Sequence, residues 1–147
     1  MNVKQINVEQ AHQILQDSTD AVYVDVRTAE EFAAGHAPRA INIPVVFPDA
    51  ATRGMMPNPD FLRVVQAHVP KDRQVILGCK MGGRSQIAAE QMAAAGYADV
   101  ANMHGGFSGA RDPMGQLVAP GWVQHEYPVE TEVTAANGYE DLKQAAG

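Results

Sequence analysis

The sequence predicts an α/β domain of three layers built on a largely parallel sheet. Three observations carry this. Short apolar runs of β-rich character alternate with stretches of helical period, the pattern of strand–helix–strand units. The chain has 147 residues, enough for one domain with a real core. No internal repeat and no linker-like stretch divides it. In sheets of this kind, ligands sit at the carboxyl ends of the strands.

The elements follow in order. Asn7 is placed to cap a helix that carries Ala11, Ile14 and Leu15 on one face. Residues 21–26 read as a strand. Thr28 and Glu31 then fit a capping box, with Thr28 as N-cap and Glu31 reaching back, and the short helix ends near Gly35. Residues 41–46 read as another strand, interrupted at Pro44. Residues 48–59 form a loop rich in Pro, Met and Gly. Residues 60–69 are helical, with Phe61, Leu62, Val65 and Val69 as the apolar face, and a turn over 70–73 follows. Val75, Ile76 and Leu77 make a buried strand. From Ser85 a helix runs with Ile87, Ala88, Met92 and Ala95 on one face, and Gly96 is placed to stop it. Residues 99–103 read as a short strand before Gly105 and Gly106. The chain turns polar and small after Thr131, and residues 138–146 read either as a last helix or as partly disordered.

Bulk properties exclude several function classes. A net charge of −6 argues against nucleic acid as a partner. A single cysteine rules out an internal disulfide and suits a reducing compartment. The opening MNVKQINVEQ has no apolar leader core, and no stretch approaches a membrane span. A cytoplasmic protein with no membrane partner is expected. His12, His36, His68, His104 and His125 show no ligand spacing with the cysteine or with each other, so no metal and no cofactor are expected.

The chemistry centres on Cys79, in a polar turn between the buried strand and a helix N-terminus. The first amides of a helix lack internal partners and face outward with the positive end of the dipole behind them. A Gly-containing loop feeding such a helix can fold its N–H groups into a nest for an anion. A thiol held there beside Lys80 and Arg84 is expected to act as a nucleophile. A buried, inert cysteine is the alternative, but it would need neither the Gly82–Gly83 pair nor two adjacent cations.

The turn Cys79-Lys80-Met81-Gly82-Gly83-Arg84-Ser85 resembles the active-site loop of rhodanese-type sulfurtransferases. YVDVRTAEEFAAGHAPRAINIP, residues 23–44, resembles the amino-terminal signature of that family through Asp25, Arg27, Glu31, Phe32, Gly35, His36, Asn42 and Pro44. Residues 96–107 resemble the segment after the catalytic helix. GMMPNPDF, residues 54–61, is similar to the single-domain, plant senescence-associated type. Four such stretches in the right order are a specific signal. The resemblance implies a five-stranded, mostly parallel sheet with helices on both faces and a single domain over residues 1–130, with 131–147 as a tail.

It also implies a reaction. Cys79 attacks the outer sulfur of thiosulfate, releases sulfite and becomes a persulfide, which a nucleophilic acceptor such as cyanide or a thiol discharges. Lys80, Met81, Gly82, Gly83, Arg84 and Ser85 form the substrate cradle. Lys80 attracts the dianion, Met81 lines the rim, and Gly82 and Gly83 allow close backbone approach and positive φ. Asp25, Arg27, Glu31 and His36 support the site. Arg84 either faces substrate or pairs inward with Asp25, Arg27 is placed to pair with Glu31, and His36 is read as a satisfied structural histidine. Related cell-cycle phosphatases use a loop one residue longer, and arsenate reduction needs a resolving thiol; both are disfavoured here. A protein sulfur donor or acceptor, with Cys79 as a relay, is the second reading. The sequence departs from the family pattern at 108–121, where SGARDPMGQLVAPG stands ahead of Trp122. This insertion is placed to overhang the pocket with Arg111 as its only cation, or else it is a surface excursion.

Overall fold

A computed structural model describes residues 3–147. Strand β1 (Val3–Asn7) was not foreseen, because two exposed residues separate its half-buried Val3 and Ile6, so no period-2 alternation marks it, and it merges into the helix cap. Asn7 caps α1 (Val8–Asp17) in a reciprocal capping box with Gln10, burying Val8, Ala11 and Leu15. Then come β2 (Val22–Asp25), α2 (Ala29–Ala34) and β3 (Ala40–Asn42). The expected box at Thr28 forms, with Glu31 N–H donating to Thr28 Oγ1 and Thr28 N–H donating to Glu31 Oε1.

The run expected as one strand over 41–46 is divided. β3 joins the main sheet, whereas β4 (Val46–Pro48) pairs antiparallel with β5 (Met55–Pro57) in a separate hairpin. Pro44, with no N–H to donate, lies at the break. The hairpin occupies the stretch expected as a loop and leaves Met55 and Met56 about half exposed. α3 (Phe61–His68), β6 (Val75–Gly78), α4 (Gly83–Ala94) and β7 (Val100–His104) complete the α/β alternation. The buried residues of α4 are Ser85, Ala88, Ala89 and Met92. Ile87, assigned above to its apolar face, is instead 48% exposed. Ser85 displaces it because the helix turns its first buried position toward Cys79. A two-stranded hairpin of β8 (Ala110–Arg111) and β9 (Leu117–Ala119) follows, and α5 (Tyr139–Ala145) ends the chain.

The main sheet has the order β1-β7-β6-β2-β3, with every neighbour parallel. Alternate residues feed two cores. Val24, Val75 and Leu77 face α3, α4 and α5, while Tyr23 and Ile76 face α1, α2 and Trp122. Helices therefore cover both faces. α5 is anchored by Tyr139 and Leu142, and Asn58 Nδ2 donates to the Tyr139 hydroxyl at 2.9 Å. No helix among the described residues is long and apolar enough to cross a membrane.

Candidate active site

β6 and β2 are adjacent at the centre of the sheet, so their carboxyl ends place Cys79 beside Asp25, and α2 and α4 close the sides. Cys79 is buried, 2% exposed. The Gly82 N–H donates to its Sγ at 3.0 Å, and Ser85 Oγ lies 3.3 Å from it. Gly82 has φ 127°, which a side chain would strain. Gly83 does not share this conformation, and a Cβ there would meet nothing within 4 Å. The positive φ expected at both glycines is needed at Gly82 alone, because the chain is already helical at Gly83. The N–H groups of Gly83, Arg84 and Ser85 open α4, where the first turn has no internal acceptor.

Beside the loop lies a cleft of about 230 Å³ lined by Arg27, Glu31, Ala34, Gly35, Lys80, Phe107 and Ser108. Lys80 thus borders it as expected. Met81 is half exposed and is not among the lining residues.

The ion pairs are exchanged relative to expectation. Arg27 binds Asp25, with Nη2 to Oδ2 at 2.7 Å and Nε to Oδ1 at 3.0 Å, and it also donates to the Gly35 carbonyl at 2.7 Å. Arg84 binds Glu31 in a two-pronged pair at 2.7 and 3.0 Å, so it neither reaches Asp25 nor stands free for a ligand. The reason is placement. Arg27 turns back over the end of its own strand, while the first turn of α4 faces the first turn of α2. Burial opposes the Arg27 charge, but Asp25 more than offsets it, and the guanidinium ionises above its ordinary range. Arg84 holds the Glu31 carboxyl down at about 2, helped by the Thr28 N–H. Burial pushes the hydroxyl of neighbouring Tyr23 up.

His36 stands outside the cleft lining. Its ring stacks on Phe32 at 3.7 Å and its Nδ1 lies 2.7 Å from the Phe32 carbonyl, but its buried Nε2 has no partner among the described residues. The histidine expected to be satisfied has a hydrogen-bond partner at one ring nitrogen only.

The least foreseen part of the site is the loop after β7. The N–H groups of Phe107, Ser108 and Gly105 donate to the carbonyls of Cys79, Lys80 and Met81 at 2.8, 2.9 and 3.2 Å. These bonds tie the carbonyl side of the active-site turn to the body of the protein. A Cβ at Gly106 would stand 2.5 Å from the Cys79 carbonyl oxygen. The Gly105–Gly106 pair just past a strand was the available signal for so close an approach.

The insertion leaves and rejoins the fold at one point. Trp122 N–H donates to Gly106 O at 2.9 Å and Val123 N–H to Phe107 O at 3.1 Å, so the chain resumes where it departed. Trp122 is buried and its Nε1 donates to Pro128 O at 2.8 Å. Ser108 is the only insertion residue lining the cleft. Arg111 is exposed and donates to Gly115 O across its own turn at 3.1 Å.

A family profile of the rhodanese-like domain matches residues 7–112. The chain belongs to the rhodanese-like domain family. Over 108 residues this rhodanese-like chain is 38% identical to senescence-associated protein DIN1 of Raphanus sativus, an alignment covering 74% of it and 51% of DIN1. It is 33% identical over 132 residues to thiosulfate sulfurtransferase 18 of Arabidopsis thaliana, covering 88% and 85% of the two chains. The crystal structure of Rv0390 from M. tuberculosis superposes with a TM-score of 0.73 at 28% identity, covering 90% of this chain and 100% of that one. The chain spans about half the length of curated relatives such as DIN1.

Proposed function

We propose that this protein is a sulfurtransferase that moves sulfane sulfur through a Cys79 persulfide. The observation that carries the reading is the buried Cys79 Sγ, 3.0 Å from the Gly82 N–H in an amide-rich turn, in a chain of the rhodanese-like family. Thiosulfate is the proposed donor. The Cys79 thiolate attacks the outer sulfur, a new S–S bond forms, the S–S bond of thiosulfate breaks, and sulfite leaves with the electron pair. The terminal persulfide anion then sits among the N–H groups opening α4, which are preorganised for charge. Cyanide or a thiol attacks that outer sulfur and returns Cys79 to the thiolate. Lys80 is assigned to attracting the anion, Gly82 to donating its N–H, and Asp25, Arg27, Glu31 and Arg84 to holding the walls. A reducing, cytoplasmic setting is proposed from the single cysteine.

One observation favours a second reading. Arg27 and Arg84 are each taken by a carboxylate, so Lys80 is the one cation lining the cleft that carries no salt bridge among the described residues. That is little attraction for a free dianion. It suits a relay in which a protein donor delivers sulfur directly to Cys79.

Steady-state transfer from thiosulfate to cyanide, for the native chain beside Cys79→Ser, tests both. Turnover that vanishes in the variant supports the enzyme. Little turnover, with mass spectrometry showing one added sulfur of about 32 Da after thiosulfate treatment, supports the relay. Reduced, unmodified Cys79 after that treatment overturns sulfur transfer from thiosulfate by either route.

A further inference from the structure

Behind Cys79, away from the cleft, a polar chain runs to the surface. Ser85 is fully buried and Asn102, on β7, is 3% exposed. Ser85 Oγ lies 2.5 Å from Asn102 Oδ1, 3.2 Å from the Gly82 carbonyl oxygen and 3.3 Å from Cys79 Sγ. Asn102 Nδ2 donates to Gln5 Oε1 at 3.0 Å, Gln5 Nε2 to Gln86 Oε1 at 2.5 Å, and Gln86 Nε2 to Glu90 Oε2 at 3.3 Å.

The direction of this chain is set at its outer end. An ionised carboxylate only accepts, so in the Gln86–Glu90 bond the amide of Gln86 points its nitrogen outward. Each amide in turn presents its oxygen inward, and the last oxygen, Asn102 Oδ1, needs a donor. Ser85 is the donor within reach, and a hydroxyl has one hydrogen. Giving that hydrogen to sulfur would strand a buried carbonyl without a partner, which costs more than the bond to sulfur gains. With its hydrogen on Asn102, Ser85 turns a lone pair toward Cys79.

We propose that the Glu90–Gln86–Gln5–Asn102 chain fixes Ser85 as a hydrogen-bond acceptor from the Cys79 thiol, and that Asn102 is a positioning residue governing the cysteine's ionisation. The two sides of the sulfur then oppose each other. The Gly82 N–H favours the thiolate, while Ser85 Oγ favours the thiol by accepting its S–H. When the proton leaves to solvent, the S–H···Oγ bond is lost and Ser85 remains committed to Asn102. Tyr23 on β2 and Arg84 on α4 interact electrostatically with Cys79; Asp25 and Arg27 act on Tyr23, Glu31 and Asp25 act on Arg84, Lys80 follows Cys79 in the turn, and His104 at the end of β7 lies beside Gly82. The substitutions below leave all of them in place.

The test is a pH titration of far-ultraviolet thiolate absorbance on the full chain. Cys79 is the only cysteine, so Cys79→Ser serves as the blank. Ser85→Ala removes the acceptor and is expected to lower the midpoint of thiolate formation by about half a pH unit. Asn102→Leu releases the Ser85 hydrogen onto sulfur and is expected to lower it further, by about one unit. The double variant is expected to match Ser85→Ala, because Asn102 acts through Ser85. A midpoint that rises or stays fixed in Ser85→Ala overturns the proposal, as does a double variant that adds the two shifts. Should Asn102→Leu fail to fold, the sign for Ser85→Ala decides alone. No substrate is involved, so failure here leaves the sulfur-transfer reading untouched.

Discussion

Two arginine–carboxylate pairs flank the same cleft, and they are built for different purposes. The Asp25–Arg27 pair is sealed, with side chains 2% and 5% exposed. The Glu31–Arg84 pair is partly wet, at 31% and 20%. The sealed pair also carries backbone contacts. Arg27 N–H donates to Asp25 Oδ1, Arg27 Nη2 reaches the Gly35 carbonyl, and its guanidinium lies 4.4 Å over the Phe107 ring. It therefore ties the end of β2 to the end of α2 and to the loop that holds the active-site turn. The wet pair ties only two helix first turns. Like chemistry at the two places yields a fixed strut in one and an adjustable wall in the other, and water access makes the difference.

Breaking the sealed pair should have the largest effect. Arg27→Ala leaves the Asp25 carboxylate buried without its partner, and such a loss typically costs about 3–5 kcal/mol. Urea unfolding of the variant beside the native chain measures it. A loss below about 1 kcal/mol would place this pair with ordinary surface bridges and remove the contrast drawn above.

Breaking the wet pair should cost about 1 kcal/mol at neutral pH, since solvent screens both groups. Its pH dependence has a definite sign. Glu31 is held from its ordinary 4.5 down to about 2. A depressed carboxyl stabilises the fold fully above its unfolded value, and that stabilisation fades as pH falls from about 4.5 toward about 2. Arg84→Ala should thus differ most from the native chain above that window and converge with it at the acid end. Unfolding midpoints measured at several pH values across the window check this. A gap that widens on acidification would contradict it.

The same comparison shows what could be read from the sequence. The two partners of each pair stood among the residues singled out, but the pairing came out exchanged. Residue identity reports that two arginines and two carboxylates converge; which meets which depends on helix rotation and strand-end geometry that no local pattern encodes. The Thr28 cap and the strand–turn–helix around Cys79 were legible because they rest on spacing within a few residues. β1, the clamp by residues 105–108 and the Gln5–Asn102–Ser85 chain were not, because each joins segments far apart in sequence. Gln5 and Asn102 are 97 residues apart and meet only because β1 lies beside β7.

The smallest effect is expected at Arg111, the third cation considered for the cleft. Both site arginines face carboxylates, whereas Arg111 faces water and bonds only the Gly115 carbonyl of its own hairpin. The hairpin closes on itself through β8 and β9, and its two ends meet at Gly109 and Gly121, so its tip transmits little to the loop at residues 105–108. Arg111→Ala should leave stability within about 0.5 kcal/mol of native, as surface substitutions usually do. It should also leave unchanged the KM and kcat for thiosulfate, the donor proposed above. A rise in KM with kcat preserved would mean that the hairpin bends over the cleft when an anion binds, and that the cleft draws on a second cation after all.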